Sequence, residues 1–168
     1  MIFQAHYHSP LGEMLLLADG DALCGVYFDG QKYFPTTSPE WRDGGDLAVI
    51  GRTRAALDEF FHEGRRRFDL PLRPQGTPFQ KRVWDALRAI PYGSTTTYGA
   101  IAAAFGGSNH ARAVGTATGR NPISVIVPCH RVLGSDGTLT GYAGGLDRKR
   151  ALLTVEGVTQ GETGALFA

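Results

Sequence analysis

Two modules are predicted by this sequence. The first is an α/β front half, a small antiparallel sheet with a helix; the second is a mostly α back half containing a helix-turn-helix. Three observations carry the prediction. Short apolar or alternating runs divided by turn residues fill the first 28 residues; capped helical patterns begin at Thr77; and charge is split along the chain. Residues 1–72 hold seven Lys/Arg against eleven Asp/Glu, a net −4, whereas residues 73–168 hold ten against five, a net +5. Of 168 residues 42% are hydrophobic and 20% charged, which is globular composition and excludes a disordered chain. No apolar run approaches the ~18 residues that span a bilayer. No Lys or Arg precedes Lys32, so a secretory signal is not expected. Two cysteines cannot build a disulfide framework, and a reducing, cytoplasmic setting is expected.

In the front half, Ile2–His8, Glu13–Ala18 and Ala22–Phe28 read as strands, with Pro10-Leu11-Gly12 and Asp19-Gly20-Asp21 as hairpin-type breaks. From Asp46 to His62, Leu47, Ile50, Leu57, Phe60 and Phe61 recur at helical spacing, and Arg65–Leu70 is expected to return as a strand. Cys24 reads as a small buried hydrophobe. His6 and His8 alternate on a strand with no further ligand nearby, so no metal site is expected there. The first module is placed at residues 1–73, with the linker Pro71–Gly76 at its end, and the second at residues 74–168.

In the back half, Thr77-Pro78 sets a capping hydroxyl before a proline at the first helical position. Phe79, Val83, Trp84 and Leu87 then line one face, and Pro91-Tyr92-Gly93 stops the helix. Thr97 caps a second helix from Tyr98 to Phe105, ended by Gly106-Gly107, and Asn109 is expected to cap a third from His110 to Thr118. The last two, joined by a short glycine-bearing turn, form the helix-turn-helix candidate, although an ordinary helical hairpin has the same pattern. A base-reading helix would carry several long polar side chains. Here Arg112 is the only long charged side chain, and Ala111, Ala113, Gly115, Thr116 and Ala117 are small. Gly115 costs ~1 kcal/mol relative to alanine inside a helix, which points to close approach by another helix or by a nucleic-acid strand. A smooth helix with one projecting arginine suits contact without sequence preference.

The apolar run Ile123–Val127 is expected to be a buried strand, and it leads into Pro128-Cys129-His130-Arg131-Val132. A cysteine followed by histidine and arginine is a candidate low-pKa nucleophile, because cationic neighbours stabilise thiolate. His130 reaches the sulfur only if the chain turns after Pro128 or through a water. Glu156, at the end of the helical run Ala151–Val155, is the candidate carboxylate behind the ring. A hairpin is expected near Ser135–Tyr142, and partial disorder is expected over residues 158–168.

The segments FQKRVWDALRAIPYG, TYGAIA, ARAVG, RNP before IVPCHRV, GYAGG and LLTVEG resemble, in order and spacing, the O6-alkylguanine-DNA alkyltransferases, over about half the chain. The resemblance implies direct reversal of guanine alkylation in DNA, with each chain reacting once and no cofactor. Cys129 would accept the alkyl group; His130, through a water, would be its base, with Glu156 behind; Asn121 would tie the helix-turn-helix to the reactive segment. Tyr98 would crowd the target phosphate to favour rotation and protonate the departing guanine. Arg112 would enter from the minor groove and fill the vacated place, with Ala111 and Gly115 against the DNA. The backbone near Val132 and Ala143 would bind the guanine edge, Tyr142 would wall the pocket, and Lys149 matches a basic position near the site. The implied partner is double-stranded DNA bound without sequence specificity by a monomer, with O4-alkylthymine open as a second substrate.

Ala143 stands where some relatives have serine, and Gly119 where some have arginine. No zinc-binding cysteine and histidine set and no sensor domain is present, which suggests a stand-alone bacterial type without metal. Three rivals stand beside this reading. A lesion-binding module without chemistry lacks the acceptor cysteine that Cys129 supplies. A Cys–His hydrolase would need an oxyanion hole, and a redox sensor would need a resolving cysteine.

Overall fold

The computed structural model describes residues 1–158; the tail expectation for residues 159–168 lies outside the described residues. The chain divides into two units, residues 1–75 with 122–124, and residues 76–121 with 125 onward.

In the first unit, β1 (Ile2–Ser9), β2 (Gly12–Asp19) and β3 (Ala22–Phe28) form an antiparallel meander. Gly12 and Gly20 turn the chain between them at φ 118° and 64°, where a side chain would be strained. The Met14–Ala18 run is buried, and a register shift at Leu17/Ala18 bends the pairing with β3. A fourth strand, β4 (Arg42–Asp43), joins β1 in parallel, so the order is β3-β2-β1-β4 and the sheet is mixed rather than purely antiparallel. The strand expected at Arg65–Leu70 does not form. Its Arg65-Arg66-Arg67 start has no alternating apolar face, and only Leu70 is buried. The chain instead touches the sheet just after it, through an isolated bridge between Leu23 and Leu72.

Helix α1 (Ala48–Glu63) buries Val49, Ile50, Ala56, Leu57 and Phe60, and ends at Gly64 with φ 74°. Cys24 is buried with Leu15 and Leu17 and packed against Ile2, Tyr27, Phe34 and Trp41. Burial, with Asp19 nearby, pushes its thiol up to about 11, so it is an inert core residue. Residues 122–124 belong to this unit because Val26 N–H donates to the Pro122 carbonyl at 2.9 Å and Ser124 N–H to the Val26 carbonyl at 3.0 Å.

The second unit holds α2 (Pro78–Arg88), β5 (Thr96–Thr97), α3 (Tyr98–Ala104), α4 (Ala111–Gly119), β6 (Val132–Leu133) and α5 (Leu146–Val155). Thr77 and Gln80 cap α2 reciprocally: the Thr77 hydroxyl accepts from Gln80 N–H, and the Gln80 side chain accepts from Thr77 N–H. Val83, Trp84 and Leu87 are buried, and Trp84 Nε1 donates to the Ala117 carbonyl of α4 at 2.8 Å. Thr97 caps α3 through Ala100 N–H.

Three expectations fail in this unit. Asn109 does not cap α4, because a 3₁₀ turn over Ser108–His110 precedes the helix and His110 occupies the cap position without a side-chain bond. The connection between α3 and α4 therefore runs from Phe105 to His110 and is longer than a tight turn. It opens with Gly106 and Gly107 at φ 117° and 133°. The apolar run Ile123–Val127 is buried but turns: Val125 has φ 71°, and Ile123 makes a single bridge to Val26. Apolarity dictates burial, and the closure of this turn dictates its conformation. The hairpin near Ser135–Tyr142 is absent too. Gly134 N–H closes a turn on the Thr138 carbonyl, Asp136 accepts from Thr138, and β6 pairs in parallel with β5.

Candidate active site

Cys129 opens a 3₁₀ turn, Cys129–Arg131, so the chain does turn after Pro128. Cys129, His130 and Arg131 are all buried, at 6%, 0% and 5% exposure. Cys129 Sγ accepts from Asn121 Nδ2 at 3.2 Å, and the same amide donates to the Val127 carbonyl at 2.9 Å. Burial pushes the thiol above its ordinary range, opposed by the Asn121 hydrogen bond and the charge of Lys149. The expected low-pKa thiol is thus not found. Arg131 faces Glu156 and the Ile90 carbonyl, and burial outweighs the remaining stabilisation of thiolate. Activation of this cysteine therefore calls for a group that removes its proton.

His130 Nε2 lies 2.6 Å from Glu156 Oε2, the carboxylate just past the end of α5. Burial holds the ring below its ordinary pKa, against the pull of Glu156, and Arg131 and Lys149 push it further down. The neutral ring then donates from Nε2, which leaves Nδ1 as the acceptor. Nδ1 is buried without a hydrogen-bond partner in the structure, so its lone pair is unengaged beside the cysteine's turn.

Glu156 is saturated with donors. Arg131 Nε lies 2.9 and 3.1 Å from its two oxygens, Arg131 Nη2 2.9 Å from Oε2, and Gly93 N–H 3.0 Å from Oε1. Burial would raise this carboxyl, but the hydrogen bonds from His130 and Arg131 and the adjacent charge hold it at about 2. Arg131 Nη1 also donates to the Ile90 carbonyl at 2.6 Å. From sequence Arg131 reads as a cationic neighbour of the thiol rather than the partner of Glu156, and Gly93 is not a site candidate. The adjacency of Cys, His and Arg was a signal for Arg131, whereas Gly93 reads only as a helix stop.

Lys149 is fully buried on α5, and Nζ donates to the carbonyls of Val132, Thr140 and Gly141 at 2.5, 2.7 and 3.0 Å. Burial lowers its pKa to about 8. The Tyr98 hydroxyl lies 3.4 Å from those same Thr140 and Gly141 carbonyls, and burial, with Cys129 nearby, pushes it up to about 12. Tyr98, Cys129 and Lys149 therefore border one region. The Val132 carbonyl retains a second lone pair beside its bond to Lys149. Tyr142 and Ala143 are half-buried on the loop that follows Gly141.

On α4, Arg112 is exposed. A Cβ placed on Gly115 would meet only Tyr98 Cδ1, at 3.9 Å, an ordinary contact. No neighbouring helix requires glycine at this position. Among the described residues no group of three or more His, Cys, Asp or Glu is placed to hold a metal, and no helix is long and apolar enough to cross a membrane.

The helical unit holds a buried Cys–Asn pair and a buried His–Glu pair, a site centred on a cysteine nucleophile candidate, and comparison specifies the family. Residues 2–74 match the family model described as 6-O-methylguanine DNA methyltransferase, ribonuclease-like domain, and residues 78–158 match the one described as its DNA binding domain. A methylated-DNA–protein-cysteine methyltransferase of Haemophilus influenzae is 43% identical over 92% of this chain and 86% of its own. One from Mycobacterium tuberculosis is 46% identical over 93% of each. The crystal structure of M. tuberculosis O6-methylguanine methyltransferase superposes with a TM-score of 0.80 at 39% identity, covering 98% of each chain. That of M. tuberculosis OGT in complex with DNA gives 0.81 at 40%, covering 99% of this chain and 95% of that one. The chain belongs to the 6-O-methylguanine DNA methyltransferase family.

Proposed function

We propose that this protein repairs DNA by moving the alkyl group of O6-alkylguanine onto Cys129, once per chain. One observation carries the reading most directly: His130, next in sequence to a buried cysteine whose own environment does not ionise it, keeps Nδ1 unengaged while Glu156 holds Nε2. The Cys129 proton passes to His130 Nδ1 through a bridging water. The sulfur then attacks the alkyl carbon; the S–C bond forms as the C–O6 bond breaks, and the bonding pair leaves on the guanine oxygen. Tyr98 gives its own proton to the departing base, exchanging its long bonds to Thr140 and Gly141 for one to the substrate, and the resulting phenolate regains a proton through solvent as His130 releases the one taken from Cys129. Asn121 holds the sulfur in line, and the resulting thioether has no leaving group, so the protein does not turn over.

Such chemistry requires the base to leave the stack, at a cost of about a few kcal/mol. Exposed Arg112 replaces it in this reading, and the small residues Ala111 and Gly115 suit α4 to a minor groove. The backbone at Val132 and Ala143 receives the flipped base and Tyr142 walls it, with Lys149 anchoring the surrounding carbonyls. In this reading residues 1–73 support, and residues 74–168 bind DNA and react. The protein acts as a monomer in the cytoplasm, without sequence preference.

Intact mass after mixing with a duplex carrying one O6-methylguanine tests the reading. One added methyl on Cys129, never two per chain, is expected, with no gain in Cys129→Ala and an ordinary gain in Cys24→Ala. An unchanged wild-type mass with tight lesion binding would replace repair by lesion recognition alone.

A further inference from the structure

The carboxylate of Glu156 poses an electrostatic problem for the imidazole beside it. A lone buried carboxylate 2.6 Å from Nε2 would draw a second proton onto the ring. A doubly protonated imidazole has N–H at both nitrogens and cannot accept from Cys129. Glu156 is not alone, however. Arg131 engages both of its oxygens through Nε and Oε2 again through Nη2, and Nη1 is fixed by the Ile90 carbonyl. A guanidinium stays charged across the accessible pH range, and its planar fork matches a carboxylate as a lysine cannot.

We propose that Arg131 is the positioning residue that, together with the burial of the ring, keeps His130 uncharged. It serves as the counter-ion of Glu156, so that the carboxylate orients the ring through Nε2–H without protonating Nδ1. The inference deepens the reading of His130 as the base for Cys129 and rests on it. The charged groups acting on His130 are Glu156 and Lys149 beside and on α5 and Arg131 within its own turn, which also carries Cys129. Lys149 acts in the same direction as Arg131, but its hydrogen bonds go to the Val132, Thr140 and Gly141 carbonyls and leave the charge of Glu156 to Arg131. Sequence adjacency thus joins two opposite tasks. His130 takes the orienting hydrogen bond of Glu156, and Arg131 takes its charge.

The test is the ring state of His130 by nitrogen-15 NMR of histidine-labelled full-length protein, assigned by the signal lost in His130→Asn. It is read beside methyl-transfer rates across the same pH range. The wild-type ring is expected to be neutral and protonated on Nε2 at pH 7. In Arg131→Gln the ring is expected to be charged at pH 7, with transfer slowed about tenfold or more there and recovering above about pH 8.5, as the base regains its lone pair. Arg131→Lys, which restores charge without the fork, is expected to fall between the two. A charged wild-type ring at pH 7 overturns the proposal. So does a neutral ring in Arg131→Gln with transfer slowed equally at every pH. Should Arg131→Gln fail to fold, the wild-type ring state and Arg131→Lys decide. The NMR readout is independent of alkyl transfer, so absence of methyl on Cys129 would remove the functional reading and leave the Arg131–His130 coupling to be judged on its own.

Discussion

The side-chain amide of Asn121 donates to the sulfur of Cys129 at 3.2 Å while holding the Val127 carbonyl at 2.9 Å. One residue, two positions beyond the end of α4, therefore fixes both the reactive atom and the buried turn that carries it. In Asn121→Leu the Val127 carbonyl loses this donor but keeps Cys129 N–H at 2.8 Å, so the cost is about 0.5–1.5 kcal/mol. The sulfur also loses a hydrogen bond that favours thiolate. Thermal unfolding is expected at lower temperature, and the reaction of Cys129 with a duplex lesion is expected to slow at neutral pH. A variant with wild-type reactivity would limit Asn121 to a structural role.

Acid stability follows from two groups with the same sign. His130 and Glu156 both have folded pKa values below their ordinary ones, so each contributes stability that is present above its unfolded pKa and lost as pH falls toward the folded one. The loss begins below 6.5 with His130 and deepens between 4.5 and about 2 with Glu156. Urea unfolding midpoints are expected to fall through both windows, and the lower window is expected to flatten in Glu156→Gln.

Lys149 predicts an alkaline effect of the same sign, in a higher pH window. Its folded pKa is about 8 against 10.5, so between those values the unfolded chain holds the extra proton, and this residue's contribution to stability rises with pH. The rise is expected in wild type relative to Lys149→Met, measured as the difference in unfolding free energy at pH 8 and 10. The same variant removes a charge that favours the Cys129 thiolate and is expected to react more slowly.

On α4, stability and DNA contact are expected to separate. Gly115→Ala meets no close contact and gains about 0.5–1 kcal/mol of helix propensity, so its unfolding temperature is expected to rise slightly. Its duplex affinity is expected to fall if this face enters the minor groove; an unchanged affinity would place the DNA elsewhere.

Arg112→Ala alters an exposed side chain and is expected to change stability by less than about 0.5 kcal/mol. Transfer from a duplex lesion is expected to slow about tenfold or more, with little change toward a free alkylated base. Equal loss on both substrates would remove the intercalating role.

Sequence alone determined what short-range physics decides. Thr77, Pro78 and Gln80 specify the start of α2 through groups three residues apart, and the hairpin glycines at 12 and 20 set the β1–β3 meander. Cys129, His130 and Glu156 were candidates from the Pro-Cys-His-Arg adjacency and the end of a helical run, and the family resemblance supplied their roles. Only the tertiary structure decided the rest. The Arg42–Asp43 strand pairs in parallel with β1, and two exposed charged residues show no strand pattern. Val125 is apolar enough for a strand, yet it turns at φ 71° between the bridge at Ile123 and the amide of Asn121. The direction of Arg131, away from the sulfur and onto Glu156, depends on a partner 25 residues away. Periodicity and propensity act within a turn or a strand, whereas pairings across such separations depend on which buried charges and backbone groups remain to be satisfied when the chain closes.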